Sequence, residues 1–147
     1  WGTGVSTQVV IHNTLRKELK LLAMDSSHGK FSDSPPGTIA PGSTANFLHV
    51  KTSGAATGSG GYVCYAVDGS APKLLCAWDT PFSGDNELGV ELFAFGKTFD
   101  NWQKVATASK TKAHGQVDIE SSKYTATAEF DMNHESVRIV YTVSKVE

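Results

Sequence analysis

The chain has 147 residues, enough for one domain with a core of its own. Its apolar fraction is 39%, its charged fraction 19% and its net charge −2, so no basic field argues for nucleic acid or for general attraction to an anionic membrane surface. No apolar run approaches the roughly 18 to 20 residues of a spanning helix, and the start at Trp1, with neither Met nor a signal-like stretch, leaves the compartment unread.

The hydrophobic pattern is β nearly throughout. QVVIHN (8–13) alternates as a strand, and ELKLLAM (18–24) follows after a Thr-Leu-Arg-Lys turn. Leu15, Leu19 and Leu22 also fit helical spacing over 15–24, but the segment is short and lacks a C-cap, so strand is preferred. The stretch 28–43, HGKFSDSPPGTIAPGS, holds three prolines and three glycines and reads as a loop with short edge pairings. TANFLHVK (44–51) alternates again, a glycine cluster at 54–61 breaks the pattern, and YVCYAV (62–67) opens a hairpin around Gly69-Ser70 whose second strand ends near Trp78. GVELFAF (89–95) is a strand, GKTFDNWQK (96–104) is ambiguous and reads as loop, and QVDIE (116–120) is a short strand. YTATAEFD (124–131) puts Tyr124, Ala126, Ala128 and Phe130 on one face, and SVRIVYTVS (136–144) turns Val137, Ile139, Tyr141 and Val143 inward. Some nine or ten short, turn-punctuated strands predict an all-β fold, a two-sheet antiparallel β-sandwich over residues 1–147 as one domain.

A turn at Gly69-Ser70 sets Cys64 opposite Cys76. Directly opposed residues have Cα atoms about 4.5 to 5.5 Å apart, which admits a disulfide. A slip of one residue instead sends the thiols to opposite faces as two buried free cysteines. Both readings stand at this point.

The five histidines (His12, His28, His49, His114 and His134) form no H-x-x-x-H or H-E-x-x-H pair, so no metal and no cofactor is expected. His12 and His49 lie in strand patterns and read as facing a sheet surface or a polar partner. Asp25, Ser26, Ser27 and His28 are adjacent in sequence, which is not triad geometry, and no G-x-S-x-G elbow occurs. Enzymatic activity is not expected. GAATGSGG (54–61) lacks the Gly-Lys-Ser/Thr of a phosphate loop and reads first as a sharp bend feeding a strand, second as a small anion nest.

The strongest local signal is WDTPFSGDN (78–86). Trp78, Pro81 and Phe82 offer a rigid apolar surface, with Asp79, Thr80 and Asn86 as polar handles. The competing reading buries Trp78 in the sandwich and lets Pro81 end its strand, which leaves Phe82 as the better candidate for exposure. Phe99 and Trp102 in TFDNW make a second aromatic cluster of the same ambiguous kind.

In order, VVIHNTLRKELKL, SSHGKFSDSPPGTIAPGSTANF, SGAATGSGGYVCYAVDG, WDTPFSGDN and SVRIVYTVS resemble the aegerolysin family, over residues 8 to 143 with a poorer match across 97–135. The closest look is to the small insecticidal crystal proteins of that family from bacilli. The resemblance implies a β-sandwich of the actinoporin-like type that binds membrane lipid, often sphingolipid-related, and permeabilises membranes together with a larger pore-forming partner protein. It further implies a cytolytic or insecticidal role for a protein secreted or deposited by its producer and acting at a target-cell membrane. With seven residues ahead of QVVIHN, the chain is not expected to form pores through an actinoporin-like N-terminal helix. It also lacks the tyrosine cluster with which actinoporins hold phosphocholine, and of their Ser and Pro headgroup positions only Pro81 carries over, Asp79 standing at the other.

The expected lipid site is Trp78, Asp79, Pro81, Phe82, Asn86 and Trp102, on a monomer or weak oligomer. A carboxylate at Asp79 favours ammonium-headed lipid over bare phosphate. Two rivals use the same surface. One is a lectin that stacks sugar on Trp78 or Trp102 and bonds its hydroxyls through Asp85 and Asn86; the other is a secreted effector with the aromatic loop as its protein-binding hot spot.

Overall fold

Alternation at period two decides most of the architecture. In the computed structural model, which describes residues 6–54, 57–94, 101–134 and 136–146, eleven strands form two sheets. The first sheet has the order β3 (Lys30–Phe31), β5 (Thr44–Val50), β1 (Ser6–Asn13), β11 (Ser136–Val146), β10 (Ser122–Asn133), β9 (Lys112–Ile119). The second has the order β4 (Thr38–Ile39), β2 (Leu19–His28), β6 (Ser59–Val67), β7 (Lys73–Thr80), β8 (Glu87–Phe93). The all-β sandwich expected from the pattern is borne out, with one refinement. All pairings are antiparallel except that of β1 with β11, which is parallel in the register Val9 to Ile139.

The main core lies between the sheets. Val9, Ile11, Phe47, Ile139, Tyr141 and Val143 from the first sheet meet Val63, Tyr65, Leu74, Cys76, Trp78 and Leu88 from the second. The inward sets expected for β10 and β11 are the observed ones: Ala126, Ala128, Val137, Ile139, Tyr141 and Val143 are buried, and Tyr124 and Phe130 pack against the core from its margin. Tyr141 also crosses the sandwich, donating its hydroxyl to the Ala77 carbonyl at 2.7 Å.

A second, smaller core covers the outer face of the second sheet. The helix α1 (Trp102–Ala106) lays Trp102 and Ala106 on Tyr62, Cys64, Leu75, Ala77 and Phe93. With both faces covered, β6 is buried at every position from Ser59 to Val67, which is why its sequence reads as a continuous small and apolar run rather than an alternation. The absent side chain of Gly89 makes the helix contact possible, since a Cβ there would fall on the carbonyl oxygen of Val105.

Several boundaries move. Residues 15–24 carry no helix, and β2 runs on to His28. Part of the glycine cluster, Gly60 and Gly61, already belongs to β6, while residues 55 and 56 lie outside the described residues. The polar stretch before QVDIE is strand from Lys112. In the 96–104 stretch read as loop, Trp102 to Lys104 are helical, and Phe99 lies outside the described residues. The disulfide reading is overturned. The hairpin is centred between Gly69 and Ser70, and that centre pairs Cys64 with Leu75 and Cys76 with Val63. Cys64 therefore faces α1 while Cys76 faces the main core, and both are free and buried. Burial pushes the Cys64 thiol up to about 12 and the Cys76 thiol well above its usual range, so neither is a nucleophile at neutral pH.

Gly89→Val is expected to lift α1 from the sheet and to cost about 1 to 3 kcal/mol in urea unfolding. Trp102 emission should shift to the red in the folded state; an unchanged emission maximum and unfolding midpoint would refute this account of the helix contact.

Candidate functional site

The strand directions gather the loops at two ends. At one end β1, β6, β8 and β11 begin while β2, β5, β7 and β10 finish, which brings residues 51–54, 57–58, 81–86 and 133–134 together. Beneath these loops lies a chain of buried polar groups. Ser26 Oγ stands 2.8 Å from His49 Nε2, and His49 Nδ1 stands 2.6 Å from Ser59 Oγ. Ser59 Oγ donates to Thr7 Oγ1 at 3.0 Å, Thr7 Oγ1 is 2.7 Å from Thr80 Oγ1, and Thr80 Oγ1 donates to the Ser59 carbonyl at 2.8 Å.

One assignment of protons satisfies this whole chain. Thr80 gives its hydroxyl proton to the Ser59 carbonyl, so Thr7 donates to Thr80 and Ser59 to Thr7. His49 then carries its proton on Nδ1, facing Ser59, and receives the Ser26 hydroxyl proton at Nε2. The imidazole has to be neutral for this, and burial does lower its pKa, to about 4. Strands β1, β5, β2, β6 and β7 are thereby pinned to one another at the end that carries the loops.

Over this platform the expected site residues part company. Trp78 is fully buried, with its ring edge-on to His49 (centroids 5.5 Å apart) and to Phe31 (6.2 Å). The reading of Trp78 as a surface ring is therefore corrected: on β7 it shares the inward parity of Leu74 and Cys76. Trp102 is also corrected to a packing role, at 7% exposure against Tyr62 (5.1 Å). Asp79 is not in the loop. It stands on the outer face of the second sheet opposite Gly60 and Glu87, where burial raises its pKa and nearby His28 opposes the rise. Pro81, half-buried, ends β7.

Phe82 is the residue that reaches solvent, at 55% exposure, with Lys51 Nζ 5.6 Å from its ring centroid, within cation–π range. Asn86 ties the far side of the loop down, donating to Asn133 Oδ1 at 2.7 Å and to the His134 carbonyl at 3.4 Å. Met132, exposed, adds a second apolar side chain at this end. Of the two readings of His49, the polar partner is the one found; the chain of hydroxyls beyond it was not read, although His49 shares strand parity with buried Ala45 and Phe47.

A two-sheet β-sandwich whose loop end holds an exposed ring above a buried polar layer defines the class, the all-β sandwich expected from the sequence. The chain belongs to the Nakanori-like protein family, whose model matches residues 1–144, and the aegerolysin resemblance is borne out at that level. Among solved structures, that of the lipid binding protein Nakanori is similar with a TM-score of 0.81 at 21% identity, over 97% of this chain and 72% of that one. The RahU protein, solved in complex with a TRIS molecule, is similar with a TM-score of 0.57 at 10% identity, over 97% and 96% of the two chains. IP-1A from Alcaligenes faecalis is similar with a TM-score of 0.55 at 16% identity, over 98% and 93%. At these identities the structural likenesses show the fold. A 23 kDa jasmonate-induced protein of Hordeum vulgare is 32% identical over 97 residues, 63% of this chain, which spans 46% of that protein's length.

The platform is expected to be acid-sensitive in a defined direction. Because the folded state holds His49 neutral, its contribution is complete above the unfolded pKa of 6.5 and is lost as pH falls toward about 4. The loss should amount to something on the order of 3 kcal/mol in urea midpoints followed between about pH 7 and pH 4. His49→Gln should be less stable at neutral pH and should flatten this dependence; an equally steep profile in the variant would assign the acid sensitivity elsewhere.

Proposed function

We propose that the protein binds membrane lipid, and that it does so through the loop end carrying Phe82. The observation that carries this reading is the Phe82 ring itself, exposed at a loop held in place by Asn86 on one side and by the buried network beneath. Membership of the Nakanori-like family and the likeness to a lipid binding protein of that name support it.

The energetics suit reversible attachment. Burying the exposed half of a Phe side chain in the bilayer interface contributes about 1 kcal/mol. One ring therefore cannot hold the protein, and Met132 and headgroup contacts must add to it. With Phe82 inserted, the Lys51 ammonium beside its ring would be available to the lipid phosphates. Asp79 is displaced from the tip onto the sheet face, so an ammonium headgroup reaching it would lie along the side of the second sheet.

The finer parts of the reading rest on the aegerolysin resemblance: a sphingolipid-related or ammonium-headed lipid, action from outside a target cell, and permeabilisation in company with a larger partner protein. Co-sedimentation with vesicles of phosphatidylcholine, of sphingomyelin with cholesterol, and of ceramide phosphoethanolamine tests the lipid. Selective binding is expected, and Phe82→Ala should weaken it roughly five- to tenfold while leaving thermal stability unchanged. Vesicles should keep an entrapped dye when this protein binds alone. No binding to any vesicle, together with saturable binding to a glycan, would replace the proposal with the lectin reading.

A further inference from the structure

We propose a second binding site, for a small phosphate or sulfate ester, in the mouth of the sandwich at the end opposite Phe82. There the sheets part around a cleft of about 490 Å³, lined by Leu15, Arg16, Lys17, Val67, Tyr124 and Lys145. This volume falls within the range of small-molecule sites, roughly 300 to 1,000 Å³. Three cations border it and, among the described residues, no carboxylate lines it, on a protein whose net charge is −2. The neighbouring Glu18 is already engaged with Lys20 at 3.4 Å.

Lys145 is the informative residue. It follows Val137, Ile139, Tyr141 and Val143 in the inward series of β11 and pairs directly with Tyr124, the outermost of the inward series of β10. Strand parity places Lys145, exposed at the strand's end, at the mouth of the space between the sheets, beside the cleft it lines. Val67, the last inward residue of β6, supplies the opposite wall.

The wall bearing Arg16 and Lys17 is held in advance of any ligand. Asn13, buried, donates through Nδ2 to the carbonyls of Lys17 (2.9 Å), Ile39 (3.1 Å) and Ala40 (3.2 Å), and its Oδ1 accepts from the Leu15 amide at 3.0 Å. Thr14 adds bonds to the Val143 carbonyl and to Ser144 Oγ, at 2.7 and 3.0 Å, and so clamps the turn to β11 next to Lys145. Cations on a braced turn and a strand end, around the buried Leu15 and Val67 with a tyrosine ring at the edge, suit an anionic ester of a ring alcohol, the charge meeting Arg16, Lys17 and Lys145 and the ring lying on Tyr124.

Titration calorimetry with phenyl phosphate, inorganic phosphate and neutral phenol tests this. Phenyl phosphate is expected to bind saturably and more tightly than inorganic phosphate, phenol not at all, with affinity falling as salt rises. Lys145→Gln and the Arg16→Gln/Lys17→Gln pair should each weaken it about tenfold or more. Lys112→Gln, a surface cation away from the cleft, should leave it unchanged, and all variants should melt like the parent. Phosphatidic acid vesicles decide the source: binding that phenyl phosphate displaces marks a lipid headgroup, and binding of the soluble ester alone marks a free metabolite. No saturable binding by any anion, or equal losses in Lys112→Gln and Lys145→Gln, would overturn the proposal. Sphingomyelin-vesicle binding through Phe82 should be the same in all these variants, so the two sites fail separately.

Discussion

A neutral imidazole buried between two sheets is the constraint on which this end of the molecule depends. Left unpaired, its ring nitrogens would cost as much as any gain from packing around them, so hydroxyls must stand on both sides, and they come from strands distant in sequence: Ser26 on β2 and Ser59 on β6. Their presence in turn fixes what the neighbours can be. Gly61 admits no Cβ, because one would meet the Asp25 carbonyl at 2.8 Å and His49 Nε2 and Trp78 Cζ2 at 3.3 Å each. The Trp78 indole fills the space beside the imidazole, edge-on to it.

The same polar layer explains how a loop rich in small residues can present a ring to an interface. Ser83, Gly84 and Asp85 are exposed and offer little packing of their own. Order reaches the loop from its two ends, through Thr80 in the buried chain and through Asn86 on the β10–β11 turn. A ring on such a mount has already lost much of the conformational freedom that binding would otherwise remove, which is where a single aromatic side chain gains leverage.

Much of the fold was legible because most strands bury one face, and a half-buried strand writes its orientation into alternation, as in Tyr124 to Phe130 and Val137 to Val143. What was not legible depended on a second layer. The polar residues of Lys112–Ile119 form an outermost strand, paired on one side only with β10, so their pattern carries little apolar contrast. The cysteines needed the register to a single residue, which composition does not specify. In the aromatic loop, parity along β7 already separated inward Trp78 from the residues beyond Thr80, and Pro81 marked the place where parity ceases to govern. Asn86 was singled out as a possible ligand contact; its observed partners are the neighbouring turn, a role visible only when both loops are in place.

The parallel pairing of β1 with β11 has a consequence for how the molecule assembles. Sheet two is built largely from hairpin-like neighbours, β6, β7 and β8, whose contacts are local. The centre of sheet one joins Ser6 to Ser136 and Asn13 to Val143, nearly the full span of the described chain. Contacts that close such long loops form late and slowly. Until they form, the inner face of the second sheet, with Trp78 and Leu74 on it, has no cover. The cover over Trp78 and Leu74 therefore depends on pairings of the greatest sequence separation in the described fold, which ties the completeness of the core to the meeting of the chain's two ends.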